Sequence, residues 1–555
     1  MIGALPHERT AMRTGQRNGH RLRTLSPDRS GRRSDGTAAA PAARRGCLFE
    51  DQPRRVWPDE PGLDQIHLAE PGTGPGRCFH GGGVNARKKR SVLGFLVVVL
   101  SIALLSIAAT WWPVAEPAAA ATAGWPTYLN VQPRTGFDAG ETSITPSTAP
   151  NLSVLWSYHA AGSVSAEPVE ANMNVYWGSW NGYEHDTTTS GTRRWLTYLG
   201  QTTDSNCNPQ VAGVASTATI ATVTINGAAT TVDFVGGGNG YFYALNATTG
   251  AVIWKTLLGA PPAHFLWSSP LRYKGSIYEG VSSFGDCPLV RGKLVRLSAA
   301  TGAVQSTFYT VPRGCVGAGV WGSAALDPAS GNIFFGTGNA GSCGTAEPLA
   351  VALVELSPSL SLVSHWQIPA AQHGPDSDFG STPTMFSGTL NGTSTPLVGL
   401  QNKNGVYYAF RRAAVSAGPV WRARIAAAGQ CPECGKGDIP PSAWDGQRLY
   451  IAGGNTTIGG VFCPGSLQAI NPGSGLLIWQ RCMPDGPVLG AVTAVPGVAI
   501  VGEGPKIMAV STSTGGTLFS YYDTSAGSRF WGPASVSAGV AFIGNQDGII
   551  YAFHA

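Results

Sequence analysis

The stretch "GGGNGYFYALNATTGAVIW", from Gly236 to Trp254, decides the fold of this chain. Tyr241 to Leu245 are aromatic and apolar, which predicts a buried β-strand. The following "NATTG" predicts a turn, because Gly250 adopts a positive φ without steric cost. "AVIW" then predicts a second strand that ends in a large aromatic side chain.

The same frame recurs further along the chain. In the first copy an Ala, an Asn, a Gly and a Trp follow one another at intervals of two, four and four residues. "QAINPGSGLLIW" repeats this spacing from Gln468 to Trp479, and "MAVSTSTGGTLF" repeats it with Phe519 in place of the Trp. Self-similarity at a fixed spacing indicates a repeat architecture.

Eight repeat ends are recognised by their last anchor position, at intervals of about 40 to 60 residues. They are Trp156, Trp195, Trp254, Ser306, Trp366, Trp421, Trp479 and Phe519. Most are preceded by a companion strand that ends in Asn-Gly or Asp-Gly, which predicts hairpins. Strand, turn and strand without a helical period predict an all-β, eight-bladed β-propeller over residues 124–555. A two-sheet sandwich is the alternative, but a sandwich does not require a long periodic frame.

The two ends of this region predict how the ring closes. The chain stops at "GIIYAFHA", which is the third strand of a blade without a following turn and Trp strand. "NLSVLWSYHA", at residues 151–160, supplies the missing strand near the start. Pairing the two would hide two sheet edges. The recurring Trp residues are expected to be structural, each packing on the turn of the next blade.

Charge is divided unevenly along the chain. Residues 1–112 carry 17 Lys and Arg against 9 Asp and Glu, whereas residues 113–555 carry 20 against 23. The propeller region therefore offers no basic surface for nucleic acid, and we expect no nucleic-acid partner. Neither a G-x-S-x-G motif nor a nucleotide-binding loop is present, so the sequence does not support a hydrolase or a phosphotransferase.

The N-terminal region predicts export. Residues 1–90 are expected to form a disordered basic segment, although thirteen Arg and no Lys in residues 1–83 also fit a misplaced start, with translation beginning at Val84. Residues 91–113 follow "RKKR" and are long and apolar enough for a transmembrane helix or a signal peptide. Residues 114–123 form an Ala/Pro linker. The propeller is therefore expected outside the cytoplasm, either on a single-pass membrane anchor or secreted.

The repeated frame A-x-[DN]-x-x-x-G-x-x-x-W resembles the propellers of pyrroloquinoline-quinone (PQQ) dehydrogenases, and is most similar to the polyvinyl-alcohol dehydrogenase type without its haem domain. Three further stretches carry the resemblance: "FFGTGN" (334–339), "GPDSDFGSTPTMF" (374–386) and "LQNKNGVYYAF" (400–410). No C-x-x-C-H motif is present, so no haem is expected. The resemblance implies PQQ and calcium as cofactors.

The resemblance also implies site residues. The residues expected to bind the cofactor are Lys403, Asn339 and Asp286, and the expected metal ligands among them are Asp286 and Asn339. The candidates for the catalytic carboxylate are Glu347, Asp376 and Asp378. The chain departs from the family in two respects: Gly285-Asp286 stands where the family has a calcium-binding Glu, and no adjacent Cys pair is present.

Eight cysteines lie in the propeller region, which favours disulfides in an oxidising compartment. Cys315 with Cys343 and Cys463 with Cys482 form natural local pairs, and the connectivity of the others, Cys207, Cys287, Cys431 and Cys434, stays open. "CPECG", at Cys431 to Cys434, also matches half of a zinc site that Cys463 and Cys482 would complete. A third interpretation of "CPECG" is a redox-active pair.

Two functions fit the sequence. The first is a PQQ- and calcium-dependent dehydrogenase that oxidises a small or polymeric alcohol and passes electrons to an external acceptor. The second is a non-catalytic propeller that serves as a binding or scaffold protein of the cell envelope. In the second case Lys403 would belong to a hairpin turn only, and Asp376 and Asp378 would only cap a strand. A shared location of Asp286, Asn339 and Lys403 at the central channel would favour the first.

Overall fold

The computed structural model describes residues 124–344, 347–374, 376–524 and 528–555. The described chain is built from β-strands, with short 3-10 turns at Ala149–Asn151, Ala370–Gln372, Arg412–Ala417 and Pro432–Cys434. The strands form eight antiparallel sheets, each with four successive strands from the centre of the ring outward. We number these sheets as blades 1 to 8 in chain order of their first strands.

The first four blades follow one another along the chain. Blade 1 consists of β2 (Val169–Ala171), β3 (Asn174–Ser179), β4 (Tyr183–Thr188) and β5 (Arg193–Tyr198). Blade 2 consists of β8 (Thr219–Ile225), β9 (Ala228–Gly236), β10 (Tyr241–Asn246) and β11 (Val252–Leu257). Blade 3 consists of β13 (Leu271–Tyr273), β14 (Ser276–Ser283), β15 (Lys293–Ser298) and β16 (Val304–Tyr309), and β12 (His264–Phe265) also pairs with β14. Blade 4 consists of β17 (Ala325–Leu326), β18 (Ile333–Gly336), β19 (Ala352–Leu356) and β20 (Leu362–Gln367).

The other four blades complete the ring. Blade 5 consists of β21 (Thr384–Leu390), β22 (Thr393–Asn402), β23 (Val406–Arg411) and β24 (Trp421–Arg424). Blade 6 consists of β25 (Ala443–Trp444), β26 (Leu449–Gly453), β29 (Gly465–Ile470) and β30 (Leu477–Met483). Blade 7 consists of β31 (Thr493–Val495), β32 (Val498–Glu503), β33 (Lys506–Ser511) and β34 (Thr517–Tyr522). Blade 8 consists of β35 (Ser535–Ser537), β36 (Val540–Gly544), β37 (Ile549–His554) and β1 (Ser153–His159). Two small hairpins lie between main strands: β6 (Thr202–Thr203) with β7 (Val211–Ala212), and β27 (Thr456–Ile458) with β28 (Val461–Cys463).

The predicted ring closure is confirmed. The early strand β1 pairs antiparallel with the last strand, β37, with Ser153 opposite His554 and His159 opposite Ile549. Blade 8 therefore takes its outermost strand from the start of the propeller and the other three from the end. All eight predicted repeat ends lie on outermost strands, so the repeat frame located every blade.

The opening stretch shows how the repeats hold neighbouring blades together. The Oδ1 atom of Asn246 accepts the backbone N–H of Thr248 at 2.9 Å and orders the turn. Gly250, with φ +71°, lies against the Trp195 ring of blade 1, where a Cβ atom would approach a ring carbon to 2.7 Å. The Trp195 indole N–H donates to Ala247 O at 3.0 Å, and Trp254 makes the equivalent bond to blade 3. The recurring Trp residues therefore join blades, as predicted.

A belt of hydrogen bonds joins blades 1 to 5 around the central channel. The backbone N–H of Glu167 donates to Thr217 Oγ1 at 2.8 Å, and the N–H of Thr217 donates to Ser269 Oγ at 3.0 Å. The N–H of Ser269 donates to Ser323 Oγ, and that of Ser323 to Thr382 Oγ1, at 2.8 and 3.0 Å. Each blade thus satisfies a buried backbone donor with a hydroxyl from the next blade.

The segment 125–141, which precedes the repeats, contacts the whole ring, and the repeat pattern did not predict this. It makes hydrogen bonds to all eight blades in ring order, through Glu170, Ile220, Arg272, Leu326, Met385, Trp444, Ala494 and Gly539. Its Arg134 is fully buried and donates to Tyr128 O at 2.6 Å and Pro270 O at 2.8 Å. Since Tyr128 also lines the central channel, this segment contributes to the channel wall.

The predictions for the basic segment 1–90, the membrane or signal segment 91–113 and the linker 114–123 concern residues outside those described, and they stay predictions. Within the described residues, no helix has the length and apolar character needed to cross a membrane.

Candidate functional site

The residues predicted to form a site come from connections on one face of the ring. Asp286 follows β14, Asn339 follows β18 and Lys403 follows β22, so all three lie between the second and third strands of a blade. Asp376 and Asp378 lie between β20 and β21, on the connection into blade 5. Because successive strands of a blade are antiparallel, these two kinds of connection share one face. We call it the site face.

Several of these residues form one cluster, with Lys403 at its centre. Its Nζ atom donates to Asp376 Oδ2 at 2.8 Å and to Asp378 Oδ2 at 3.1 Å. Asn339 Nδ2 donates to the other oxygen of Asp376, Oδ1, at 2.8 Å. The backbone N–H of Lys403 also donates to the carbonyl of Asp378 at 3.0 Å. One cation, two carboxylates and one amide from two adjacent blades therefore form a continuous network.

Trp321, on the connection into blade 4, is a site residue that the sequence analysis did not identify. The Lys403 Nζ atom lies 5.1 Å from the centroid of its ring. Gly380 packs on this indole, and a Cβ atom there would approach a ring carbon to 2.1 Å. The sequence did contain an indication of this residue. In "VWGSAAL", Trp321 comes shortly before the first strand of blade 4 and away from the Trp positions that join blades.

The cluster borders a cavity of about 380 Å³, a volume in the range of small-molecule sites, which is roughly 300–1,000 Å³. Asp286, Asn339, Asp378, Lys403 and Trp321 all line it. A larger volume of about 590 Å³ in the central channel adjoins it, and the two share the walls formed by Asn208, Pro209, Trp267 and Trp321. The predicted cofactor-binding residues thus converge beside the central channel.

Burial and charge shift the pKa values of the two groups that face each other. Burial raises the pKa of Asp378 to about 6, against the opposing effect of the Lys403 charge, and the negative charges of Asp376 and Asp286 raise it further. Burial on its own would lower the pKa of Lys403, but the charges of Asp378 and Asp376 outweigh it and raise the pKa. The Lys403 ammonium is therefore charged at neutral pH, while Asp378 takes up and releases protons near neutrality.

The structure does not bring Glu347 to the cluster. Its carboxylate is fully buried and accepts the backbone N–H groups of Gly341 at 2.7 Å and Cys343 at 2.9 Å. Both carboxylate oxygens therefore order the connection after β18. Of the three carboxylates predicted as catalytic, Asp378 lines the cavity, Asp376 bonds to Lys403 and Asn339, and Glu347 lies apart.

Asp286 lies at the rim of the cavity. Its side chain is exposed, its φ is +60°, and its Oδ1 atom accepts a hydrogen bond from Ser283 Oγ. The neighbouring Cys287 forms a disulfide with Cys207, which follows blade 1. Because Asn208 also lines the cavity, this disulfide joins two connections that form its wall.

The chemical types of the side chains around Lys403 are those that suit a hard cation and a planar quinone. Carboxylate oxygens from Asp376, Asp378 and Asp286 and the amide oxygen of Asn339 are the ligands that calcium prefers. Within the described part of the chain, Asp378 Oδ1 is buried and accepts no hydrogen bond, so it can accept a cation or a proton. The Trp321 ring offers an aromatic plane, and Lys403 offers a cation for quinone oxygens.

All eight propeller cysteines are paired. The predicted pairs Cys315–Cys343 and Cys463–Cys482 are confirmed, and the two pairs left open are Cys207–Cys287 and Cys431–Cys434. The structure thus pairs "CPECG" internally and does not assemble it with Cys463 and Cys482 into a zinc site.

Comparisons with known proteins show what the propeller resembles. No family model matches the sequence. A polyvinylalcohol dehydrogenase of a Pseudomonas species is 26% identical over 367 residues, covering 56% of this chain and 55% of that protein. A polyvinylalcohol dehydrogenase of a Sphingopyxis species is 32% identical over 120 residues, covering 17% and 18%. The chain thus spans about half, or less, of the curated relatives that it matches.

Solved structures show the same fold. The quinohaemoprotein alcohol dehydrogenase of Comamonas testosteroni superposes with a TM-score of 0.61 at 17% identity, over 79% of this chain and 81% of that one. A europium-containing methanol dehydrogenase superposes with a TM-score of 0.63 at 15% identity, over 78% and 98%. The predicted resemblance to quinoprotein dehydrogenase propellers, and to polyvinyl-alcohol dehydrogenases within them, is therefore confirmed.

Proposed function

We propose that this chain is a PQQ- and calcium-dependent dehydrogenase that oxidises a small or polymeric alcohol. The observation that carries the proposal is the convergence of Lys403, Asp378, Asn339 and Trp321 around one cavity beside the central channel, with Asp376 bonded to Lys403 and Asn339. Lys403 and Asp378 line this cavity, so charges that cost free energy to bury stand where a bound ligand can use them.

Each residue has a role that follows from its position. PQQ, when bound, supplies a two-electron acceptor for the alcohol. Trp321 would offer an aromatic plane to its flat ring system, and the Lys403 ammonium would offer a positive charge to its quinone oxygens. Asn339, Asp376 and the rim residue Asp286 supply oxygen ligands for calcium.

We assign to Asp378 the role of accepting the proton of the substrate hydroxyl. Because its pKa is raised to about 6, it is mostly ionised at neutral pH, yet it remains basic enough to take the proton of a substrate hydroxyl. Asp378 lines the cavity, and its buried Oδ1 atom accepts no hydrogen bond within the described residues. This assignment selects Asp378 from the three carboxylates that the sequence offered.

We further propose that the propeller works outside the cytoplasm, on a single-pass anchor or secreted, and passes its electrons to an external acceptor. Four disulfides support this location, because disulfides persist in oxidising compartments. The apolar stretch 91–113 after "RKKR" supports it independently.

The test is cofactor binding by the purified full-length protein, followed by reduction of an artificial dye with primary, secondary and polymeric alcohols. Parallel samples would receive calcium, lanthanum or a chelator, since one structural neighbour is described as containing europium. We expect PQQ to bind only with a metal and to support dye reduction. Absence of PQQ binding at micromolar concentration with either metal would exclude the enzyme and leave the binding or scaffold function.

A further inference from the structure

The disulfide Cys431–Cys434 differs from the other three. It closes a loop of only three residues, whereas the others join residues 80, 28 and 19 positions apart. Because a cross-link restricts the unfolded chain less when its loop is shorter, this bond adds least to the stability of the fold.

The same disulfide also differs from the other three in its exposure to solvent. Each of the other three contains a buried sulfur-bearing residue, namely Cys207, Cys315 and Cys463, with exposed fractions of 5%, 7% and 0%. Cys434, by contrast, is exposed and Cys431 is partly exposed. An exposed disulfide is open to attack by a thiolate, whereas a buried one is shielded.

The segment 427–437, which we call the strap, connects this disulfide to the candidate site. The backbone N–H of Gly429 donates to Lys403 O at 3.1 Å, and Gln430 lines the cavity together with Lys403. At its other end, Glu433 lines the central channel, and its carbonyl accepts a hydrogen bond from Arg529 Nη1 at 2.8 Å. Since Arg529 belongs to the connection into blade 8, the strap joins the blade 5 side of the site face to the blade 8 side.

The disulfide shapes the turn of the strap. Cys431 exchanges two backbone hydrogen bonds with Lys436, both at 3.0 Å, so the disulfide lies inside a closed backbone loop. Asn455 anchors this loop from blade 6, with its N–H donating to Gly435 O at 2.7 Å. The disulfide therefore closes the turn that follows Gly429 and Gln430 in the strap.

We propose that Cys431–Cys434 is a thiol–disulfide exchange site whose reduction by an external dithiol loosens the strap from Lys403. A thiolate of the dithiol attacks the sulfur of the exposed residue Cys434, and the Cys431 thiolate leaves. The second thiol of the reductant then displaces Cys434 and closes the reductant's own disulfide. Two electrons and two protons pass from the dithiol to the protein, which ends with two cysteine thiols. This exchange does not depend on the dehydrogenase function proposed above.

The test begins with the reduction equilibrium of each disulfide. Full-length protein is equilibrated in buffers of graded reduced-to-oxidised dithiothreitol ratio, alkylated, and analysed by peptide mass spectrometry. We expect Cys431–Cys434 to reach half-reduction at a ratio at least roughly tenfold lower than any other pair. Reduction together with, or after, the buried pairs would overturn the proposal.

The second measurement follows the strap without using enzyme activity. Amide hydrogen exchange at Gly429 should quicken by roughly tenfold in the selectively reduced protein and in the double variant Cys431→Ser, Cys434→Ser. The control is amide exchange at Leu467, in β29 of the neighbouring blade 6, which should stay unchanged in the same samples. Unchanged exchange at Gly429 in the selectively reduced wild-type protein would overturn the coupling even if a variant fails to fold.

Discussion

Lys403 and Asp376 form a buried ion pair, with Nζ 2.8 Å from Oδ2 and side-chain exposures of 12% and 16%. The pair joins two blades, since Lys403 follows β22 of blade 5 and Asp376 also bonds to Asn339 of blade 4. Removing one member of a buried ion pair leaves the charge of the other uncompensated. Substitutions at this site are therefore expected to have large effects in a definite direction.

Replacing Lys403 with Ala should weaken cofactor binding and lower kcat/KM by roughly 10²–10³-fold, because the positive charge offered to the quinone oxygens is removed. Lys403→Arg keeps the charge and should retain part of both. The measurement is PQQ binding by fluorescence together with dye reduction. Lys436→Ala, an exposed lysine in the strap, is the matched control and should keep wild-type binding. Wild-type kinetics in Lys403→Ala would show that the site is wrongly placed.

Asp378→Asn should lower kcat by roughly 10²–10⁴-fold while PQQ still binds, because the group that takes the substrate proton is lost. The rate of the wild-type protein should rise with pH as Asp378 is ionised, since only the ionised form accepts a proton. Glu347→Gln is the control carboxylate and should leave kcat unchanged. It should lower the free energy of unfolding by about 1–3 kcal/mol, because two backbone N–H groups lose a charged acceptor. A large loss of kcat in Glu347→Gln with an unchanged kcat in Asp378→Asn would instead indicate that Glu347 is the catalytic carboxylate.

Gly250→Ala tests the contact between neighbouring blades. The matched control is Gly275, whose φ of +76° is close to the +71° of Gly250 and whose Cβ, if one were added, would meet no heavy atom of the described residues within 4 Å. Both substitutions should cost about 1–2 kcal/mol for the left-handed backbone. Gly250→Ala should cost about 1–3 kcal/mol more, since its Cβ overlaps Trp195. Urea denaturation measures the difference, and equal losses would show that the turn and the indole do not pack as described.

Three buried acids between blades 1 and 2 predict an unusual dependence of stability on pH. Glu184, Asp186 and Asp233 are fully buried, and within the described residues none of their carboxylate oxygens accepts a hydrogen bond, although Arg194 Nη1 forms an ion pair with Asp186 Oδ2 at 3.2 Å. Burial raises the pKa of Asp186 to about 7, against the charge of Arg194. Burial and the neighbouring acids raise the pKa values of Glu184 and Asp233 well above normal.

The direction of this pH dependence follows from the numbers of protons that the native and unfolded states bind. Between the unfolded pKa values, near 4, and the raised native ones, the native state holds protons that the unfolded chain has lost, so the free energy of unfolding falls as pH rises. Glu184→Gln should therefore raise the Tm at pH 7.5, with a gain of about 1–3 kcal/mol, and change it little at pH 4. The exposed Asp485→Asn should change the Tm little at either pH. A lower Tm for Glu184→Gln at pH 7.5 would contradict the prediction.

Much of the fold could be predicted because its determinants are local. The turn from Asn246 to Gly250 depends on side chains within a few residues, and each such turn meets a Trp that comes at a fixed spacing after the preceding turn. The segment 125–141 could not be predicted this way. It carries no repeat, and its eight contacts exist only once the ring has formed.

The candidate site, like the fold, could be predicted from the sequence only in part. The stretches at 334–339, 374–386 and 400–410 indicated Asn339, Asp376, Asp378 and Lys403 through their resemblance to quinoprotein dehydrogenases. Only the tertiary structure decided between Asp378 and Glu347 for the cavity and placed Trp321 beside Lys403. The physical reason is that the repeat frame determines which connections share a face. The direction of each side chain depends on its hydrogen-bond partners, and those lie on different connections, far apart in the chain.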